Sequence, residues 1–197
     1  MSSAAASTRF TPEEYLALER KAVHKSEYLK GFITAMSRAS YEHCSLGANL
    51  IREIGFQLKD GPCDVLTSDI RVLVNETGLY TYPDVAVVCG RPLFADKEFD
   101  TLMNPTVVIE ILSTSTEAYD RGSKFGHYRR VESLCEYVLV SQDRMLVERF
   151  TKQADNWLLT ASDALESFLE LKSIGCKILL SEIYRRVVFS EPPGTTN

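Results

Sequence analysis

Two strongly apolar runs, residues 83–88 and 106–112, each carry a single carboxylate: Asp84 in the first and Glu110, 26 positions on, in the second. Runs so rich in Val and Ile read as strands of a buried sheet. An ionised carboxylate taken out of water costs about several kcal/mol unless it is paired, hydrogen-bonded or bound to a metal. Two of them in neighbouring apolar strands therefore call for a cation between them. Fourteen residues past Glu110 stands Lys124, on an expected helix. Two acids and a lysine are the parts from which a magnesium-dependent phosphodiesterase site is built.

The rest of the chain bounds this reading. At 197 residues and 45% apolar composition it fits one domain able to bury its own core. A net charge of -5 excludes a protein coated in basic surface, so any nucleic-acid contact has to come from a local patch. The five cysteines, Cys44, Cys63, Cys89, Cys135 and Cys176, lie at wide spacings that suit neither a zinc knuckle nor a redox dithiol, and read as reduced, mostly buried thiols. The start lacks the pattern of a secretory leader and no apolar run is long enough to span a bilayer, which leads to the expectation of a cytoplasmic protein with no membrane partner.

Local signals give the order of elements. Thr11, Pro12 and Glu14 form the signature of a capped helix start, with the helix expected to end near Ala22. Residues 27–36 alternate around Lys30-Gly31, as in a hairpin. Residues 40–58 place Cys44, Leu46, Leu50, Ile51, Ile54 and Leu58 at helical spacing, stopped by Gly61-Pro62. Strands follow at 64–67, 70–74, 80–89 and 106–112, with an irregular excursion over 90–105. A helix carrying Tyr119, Phe125, Tyr128 and Val131 comes next, then a strand pair around Asp143-Arg144, small strands, and a terminal helix over 181–186. Residues 1–10 read as a flexible start, 11–189 as one domain and 190–197 as a disordered tail.

The ordered set Tyr82-Pro83-Asp84-Val85, Val108-Ile109-Glu110-Ile111-Leu112-Ser113, Ser115-Thr116-Glu117-Ala118-Tyr119-Asp120-Arg121-Gly122-Ser123-Lys124-Phe125 and Tyr128-Arg129-Arg130 resembles a large bacterial family of restriction-endonuclease-like proteins in the PD-(D/E)XK nuclease superfamily. The resemblance runs from the Thr11 helix to the one at Ser181 and includes the hairpin at Glu27 and His43. It implies an α/β fold with a central mixed sheet flanked by helices, and a metal site where two central strands meet. It also implies hydrolysis of DNA with Mg²⁺ or Mn²⁺, by a homodimer or higher homo-oligomer. In the superfamily's usual pattern a lysine stands two residues after the second acid, where this chain has Leu112. Relatives that move the lysine to the following helix point to Lys124. The implied catalytic set is Asp84, Glu110 and Lys124, with Glu27 in support. The implied metal ligands are Asp84, Glu110 and the backbone carbonyl of Ile111.

Each residue also has a plainer reading. Asp84 could cap a bend after Pro83, Glu110 could pair with Arg71, and Lys124 could be an exposed helix lysine. His43 reads as a core or helix-surface group with a supporting role open to it; His24 and His127 read as solvent-facing. Arg121, Lys124, Arg129 and Arg130 form a local basic cluster, either for phosphates or as a solvated face. Asp69 either touches the site or starts a turn. Trp157, Tyr80 and Tyr82 read as packing groups more than as stacking platforms for bases. The rival function is a non-cleaving protein that keeps the nuclease fold to bind nucleic acid or protein. A metal-dependent hydrolase of small phosphoesters is a third.

Overall fold

The computed structural model describes residues 9–189. The tail expected at 190–197 and residues 1–8 of the expected flexible start lie outside it. Helix α1 (Pro12–Glu19) opens with a reciprocal cap: Thr11 N donates to Glu14 Oε2 at 2.8 Å and Glu14 N to Thr11 Oγ1 at 3.2 Å. It stops short of the expected Ala22, because the N–H groups of Lys21 and Ala22 turn back to Leu18 and Glu19. Strands β1 (Ser26–Leu29) and β2 (Phe32–Ala35) form the expected hairpin. Its two turn residues, Lys30 and Gly31, both take positive φ (49° and 95°), as a tight turn matched to strand twist requires. Helix α2 (Tyr41–Leu58) begins at Ser40, whose hydroxyl accepts the N–H of His43.

From there the chain builds two main sheets from β3 (Cys63–Thr67), β4 (Arg71–Val74), β5 (Leu79–Thr81), β6 (Val85–Cys89), β7 (Thr101–Leu102) and β8 (Val107–Leu112). Then come α3 (Glu117–Tyr119), a π turn (Asp120–Lys124) and α4 (Phe125–Tyr128). Strands β9 (Glu136–Ser141), β10 (Val147–Gln153), β11 (Asn156–Ser162), β12 (Phe168–Leu171) and β13 (Cys176–Leu179) lead to a short α5 (Leu180–Ile183). The larger sheet runs β11-β10-β9-β8-β6-β3 and is mixed, with β8 and β9 parallel and the other pairs antiparallel. The second runs β2-β1-β5-β4-β7, and β12-β13 make a separate ribbon.

Beyond the shorter α1, and a terminal helix at Leu180–Ile183 where 181–186 was expected, two expectations need correction. The strand expected over 80–89 is two strands in different sheets, divided at Tyr82-Pro83-Asp84, because Pro83 has no N–H to give a ladder and the chain crosses over there. The thiols of Cys63 and Cys89 are joined in a disulfide rather than reduced. They occupy opposite positions in the antiparallel pair β3 and β6, a proximity that sequence spacing does not reveal. Cys44 is exposed, and Cys176 is the one buried free thiol among the described residues.

Side-chain alternation along β8 sets the layers. Val107, Ile109 and Ile111 pack with Leu46, Leu50 and Ile54 of α2, all but fully buried, and each such side chain contributes about 1.5–3 kcal/mol. Val108 and Leu112 face the opposite way, into a cluster with Tyr128, Leu134, Val72 and Val74. Glu110 sits between Val108 and Leu112 on that second face, so the helical segment after β8 is its roof.

Candidate active site

The antiparallel register of β6 and β8, Val85 opposite Ile109, brings Asp84 level with Glu110 at the point where β6 begins. Asp84 is fixed from two sides. Its Oδ2 accepts the N–H of Ile111 at 2.7 Å, and its Oδ1 lies 2.9 Å from His43 Nε2. His43 reaches it from the first turn of α2.

Glu110 is buried, and Lys124 comes down on it from the π turn. The ammonium lies 3.0 Å from Glu110 Oε1, 3.2 Å from Glu27 Oε1 and 3.5 Å from Asp120 Oδ1, with 5% of its side chain exposed. Lys124 is therefore not an exposed helix lysine. The close approach to Glu110 has ion-pair distance but not hydrogen-bond geometry, so Glu110 Oε1 accepts no hydrogen bond from the described residues. Nor does Glu110 pair with Arg71, which is held by Tyr82, Thr101 and Asp100.

Electrostatics follow from this crowding. Burial pushes Glu110 well above the usual carboxylate range; Lys124 pulls it back, while Asp120 and Asp84 push it further up. Asp120 is raised for the same first reason. Lys124 loses hydration through burial, which works against its charge, yet Glu110, Glu27 and Asp120 together hold it more firmly protonated than a free lysine.

Glu27 arrives on β1. The pairing of Tyr28 with Tyr80 sets it opposite Thr81, whose hydroxyl donates to Glu27 Oε1 at 2.5 Å, and Tyr119 OH donates to Oε2 at 2.9 Å. The sequence reading had no role for Thr81, Tyr119 or Asp120. Asp120 was legible only as the residue one helical turn before Lys124, and the two hydroxyls depend on a sheet pairing that no local pattern announces.

Asp84, Glu110, Ile111, Lys124, Glu27 and His43 line one cavity of about 1130 Å³. No group of three His, Cys, Asp or Glu side chains among the described residues is placed to hold an ion unaided. Mg²⁺ does not require one, since it keeps several waters and is held through one or two carboxylates and substrate phosphates. Hard oxygen donors at Asp84 and Glu110, among them a buried Glu110 oxygen that accepts no hydrogen bond from the described residues, fit that demand.

The basic cluster on the same helical segment disperses. Arg121 is taken up by Glu117 and Glu148, Lys124 points into the cavity, and Arg130 lies 3.9 Å from Glu76. Asp69 pairs with Lys25 at 2.6 Å. His24 is exposed, whereas His127 is half-buried rather than solvent-facing. Tyr80 and Tyr82 are buried, Tyr82 also lining the cavity, and Trp157 packs edge-on to Phe125.

A mixed sheet flanked by helices, with acids on adjacent strands and a lysine on the segment that follows, defines a restriction-endonuclease-like protein. The chain belongs to the Uma2 family, described as "Putative restriction endonuclease", which matches residues 12–178. It is 37% identical over 182 residues to "Uncharacterized protein slr1290" of Synechocystis sp., covering 92% of this chain and 94% of that protein. It is 38% identical over 151 residues to "Uncharacterized protein sll1609" of the same organism, covering 76% and 85%. A crystal structure of "a putative nuclease belonging to DUF820" from Anabaena variabilis superposes with a TM-score of 0.75 at 17% identity, over 91% of this chain and 99% of that one, a likeness of fold.

Proposed function

We infer that this cavity hydrolyses phosphodiester bonds of DNA with Mg²⁺ or Mn²⁺. The observation that carries the reading is the convergence of Asp84, Glu110 and Lys124 on one cavity from three separate elements. Asp84, Glu110 and the Ile111 carbonyl would hold the ion, which supplies Lewis acidity and an activated water. Asp84 is held in place by Ile111 N–H and His43, so its oxygens need little rearrangement. Lys124 places a fixed positive charge beside the acids, where negative charge grows on a phosphate under attack. Two such cavities in a homodimer would address two strands, in the cytoplasm where bacterial DNA lies.

Supercoiled-plasmid nicking with Mg²⁺ or Mn²⁺, and Mn²⁺ calorimetry, test the reading. Nicking by the wild type and its loss in Asp84→Asn and Glu110→Gln, with Mn²⁺ binding lost in both, support it. Metal binding indifferent to both changes would favour a binding protein that keeps the fold, and turnover of a small phosphodiester without cleavage of DNA would favour the small-molecule hydrolase.

A further inference from the structure

Four carboxylates, those of Asp84, Glu110, Glu27 and Asp120, line this cavity, and the Lys124 ammonium lies within 3.5 Å of the last three. They divide by where they stand: Asp84 and Glu110 are level with each other where β6 meets β8, whereas Glu27 comes from β1 and Asp120 from the lysine's own π turn. Both oxygens of Glu27 are occupied: Oε1 by Thr81 and Lys124, Oε2 by Tyr119. Asp120 belongs to the same π turn as Lys124 and lies 3.5 Å from its ammonium. Glu110 Oε1 accepts no hydrogen bond from the described residues although the ammonium is 3.0 Å away, and Asp84, its oxygens held by Ile111 N–H and His43, faces it from the neighbouring strand. The π turn matters here, because π turns are rare, occur often at functional sites, and leave both Asp120 and Lys124 buried toward the cavity.

Resting on the metal-dependent reading above, we propose that Glu27 and Asp120 are positioning residues for Lys124 and not ligands of the metal. They form, with Thr81 and Tyr119 behind Glu27, a clamp that fixes the ammonium over Glu110. A lysine on a helix has to reach the strand acid across a gap that a lysine two residues along the strand would not meet, and its four-carbon stem has several free torsions. Two carboxylates from different elements, one from β1 and one from its own turn, remove that freedom. Asp120 thereby receives a role that sequence reading did not assign. Glu27 moves from general support of the implied catalytic set to support of the lysine.

The test uses the full chain with Glu27→Gln, Asp120→Asn and the conservative Asp120→Glu. Three readouts are taken: Mn²⁺ calorimetry, plasmid nicking, and acylation of Lys124 by an amine-reactive ester followed by mass spectrometry. The clamp requires Mn²⁺ affinity within about threefold of wild type in all variants, while nicking falls about 10–100-fold in kcat for Glu27→Gln and Asp120→Asn, the range for orienting groups. Lys124 acylation rises about tenfold in the same two variants as the amine comes free, and Asp120→Glu restores protection. Tyr137→Phe, which removes the hydrogen bond from Tyr137 OH to Asp120 O and loosens the same turn without touching the ammonium, leaves acylation at the wild-type rate. Loss of Mn²⁺ binding in Glu27→Gln or Asp120→Asn would make that residue a metal ligand and overturn the proposal. So would unchanged acylation in both, or equal acylation in Tyr137→Phe. Acylation and calorimetry decide the question even if DNA is never cut, in which case the nuclease reading fails and the clamp stands or falls separately.

Discussion

Asp84 Oδ2 accepts the backbone N–H of Ile111 at 2.7 Å, which ties the first acid to the strand residue directly after the second. The other oxygen is within 2.9 Å of His43 Nε2, so a strand backbone and a helix side chain together set its direction. A group oriented twice over holds its geometry before any ligand arrives. His43→Ala leaves the backbone bond in place, and Mn²⁺ affinity should fall about tenfold, the lower end for loss of an orienting partner. Asp84→Asn should abolish binding altogether. Calorimetry on the two variants side by side checks the ranking, and equal loss in both would make His43 a ligand in its own right.

Glu110 gives a pH dependence whose sign can be worked out. Burial raises its folded-state value, so the folded protein takes up this proton more readily than the unfolded chain. Its contribution to stability is complete below the ordinary glutamate value of about 4.3 and is lost as pH rises through the higher folded value. Asp120 adds the same trend. Glu110→Gln cannot titrate, so its urea midpoint should gain on that of the wild type as pH rises from about 4 toward 8. A constant difference across that range would mean that Glu110 is not protonated in the folded state.

The Lys124 ammonium lies within 3.5 Å of three acids, Glu110, Glu27 and Asp120, and its removal should be costly. Lys124→Met fills similar volume but leaves Glu110, Glu27 and Asp120 without their shared counter-charge. Breaking a buried pair from one side costs about 3 kcal/mol. Urea denaturation near neutral pH should show a loss of that order together with loss of nicking, and the loss should shrink at acid pH, where the carboxyls take up protons.

Much of this was legible in the chain because it is written in local patterns. Thr11 and Glu14 cap α1, Lys30-Gly31 turn the hairpin, and the spacing of Leu46, Leu50 and Ile54 marks the buried face of α2. The acids stood out because each interrupts an apolar run. The break at Pro83 was misread, since β5 and β6 each look like strand and only the change of sheet separates them. Asp120 escaped notice as a site residue because a π turn has no sequence signature, and the Cys63–Cys89 bond escaped because it depends on the register of β3 with β6.

Arg20 ties the end of α1 to the excursion before β8, and that tie should weaken in acid. Its guanidinium binds Asp96 at 2.6 Å and Asp100 at 2.8 Å. The Arg20 hydrogen bond holds Asp100 down at about 2, and Asp96 is lowered by the same partner. A depressed folded value means stability that is present above the ordinary aspartate value of about 3.9 and is lost as pH falls through the folded one. The three side chains are about a third exposed, and solvent screening limits the effect to about 1 kcal/mol. Arg20→Ala should be less stable than wild type by that amount at pH 7, with the gap closing toward about pH 2. Urea midpoints at several pH values would show it.

The disulfide makes a separate prediction, because it lies away from the acids. Cys63 and Cys89 close a loop with a sequence separation of 26, and cross-linking a loop of that length restricts the unfolded chain by about 3 kcal/mol. The bond staples β3, an edge strand, to β6, the strand that begins at Asp84. β6 is also held by β8 through the pairs Val85 with Ile109 and Val87 with Val107, so Asp84 keeps its register when the bond is cut. Cys63→Ser with Cys89→Ser, or the wild type under a strong phosphine reductant, should therefore lose about 2–3 kcal/mol in urea denaturation while keeping wild-type Mn²⁺ affinity. If reduction weakened metal binding as much as stability, the edge strand would be holding the site in place, and the independence of β6 and β8 from β3 would be wrong.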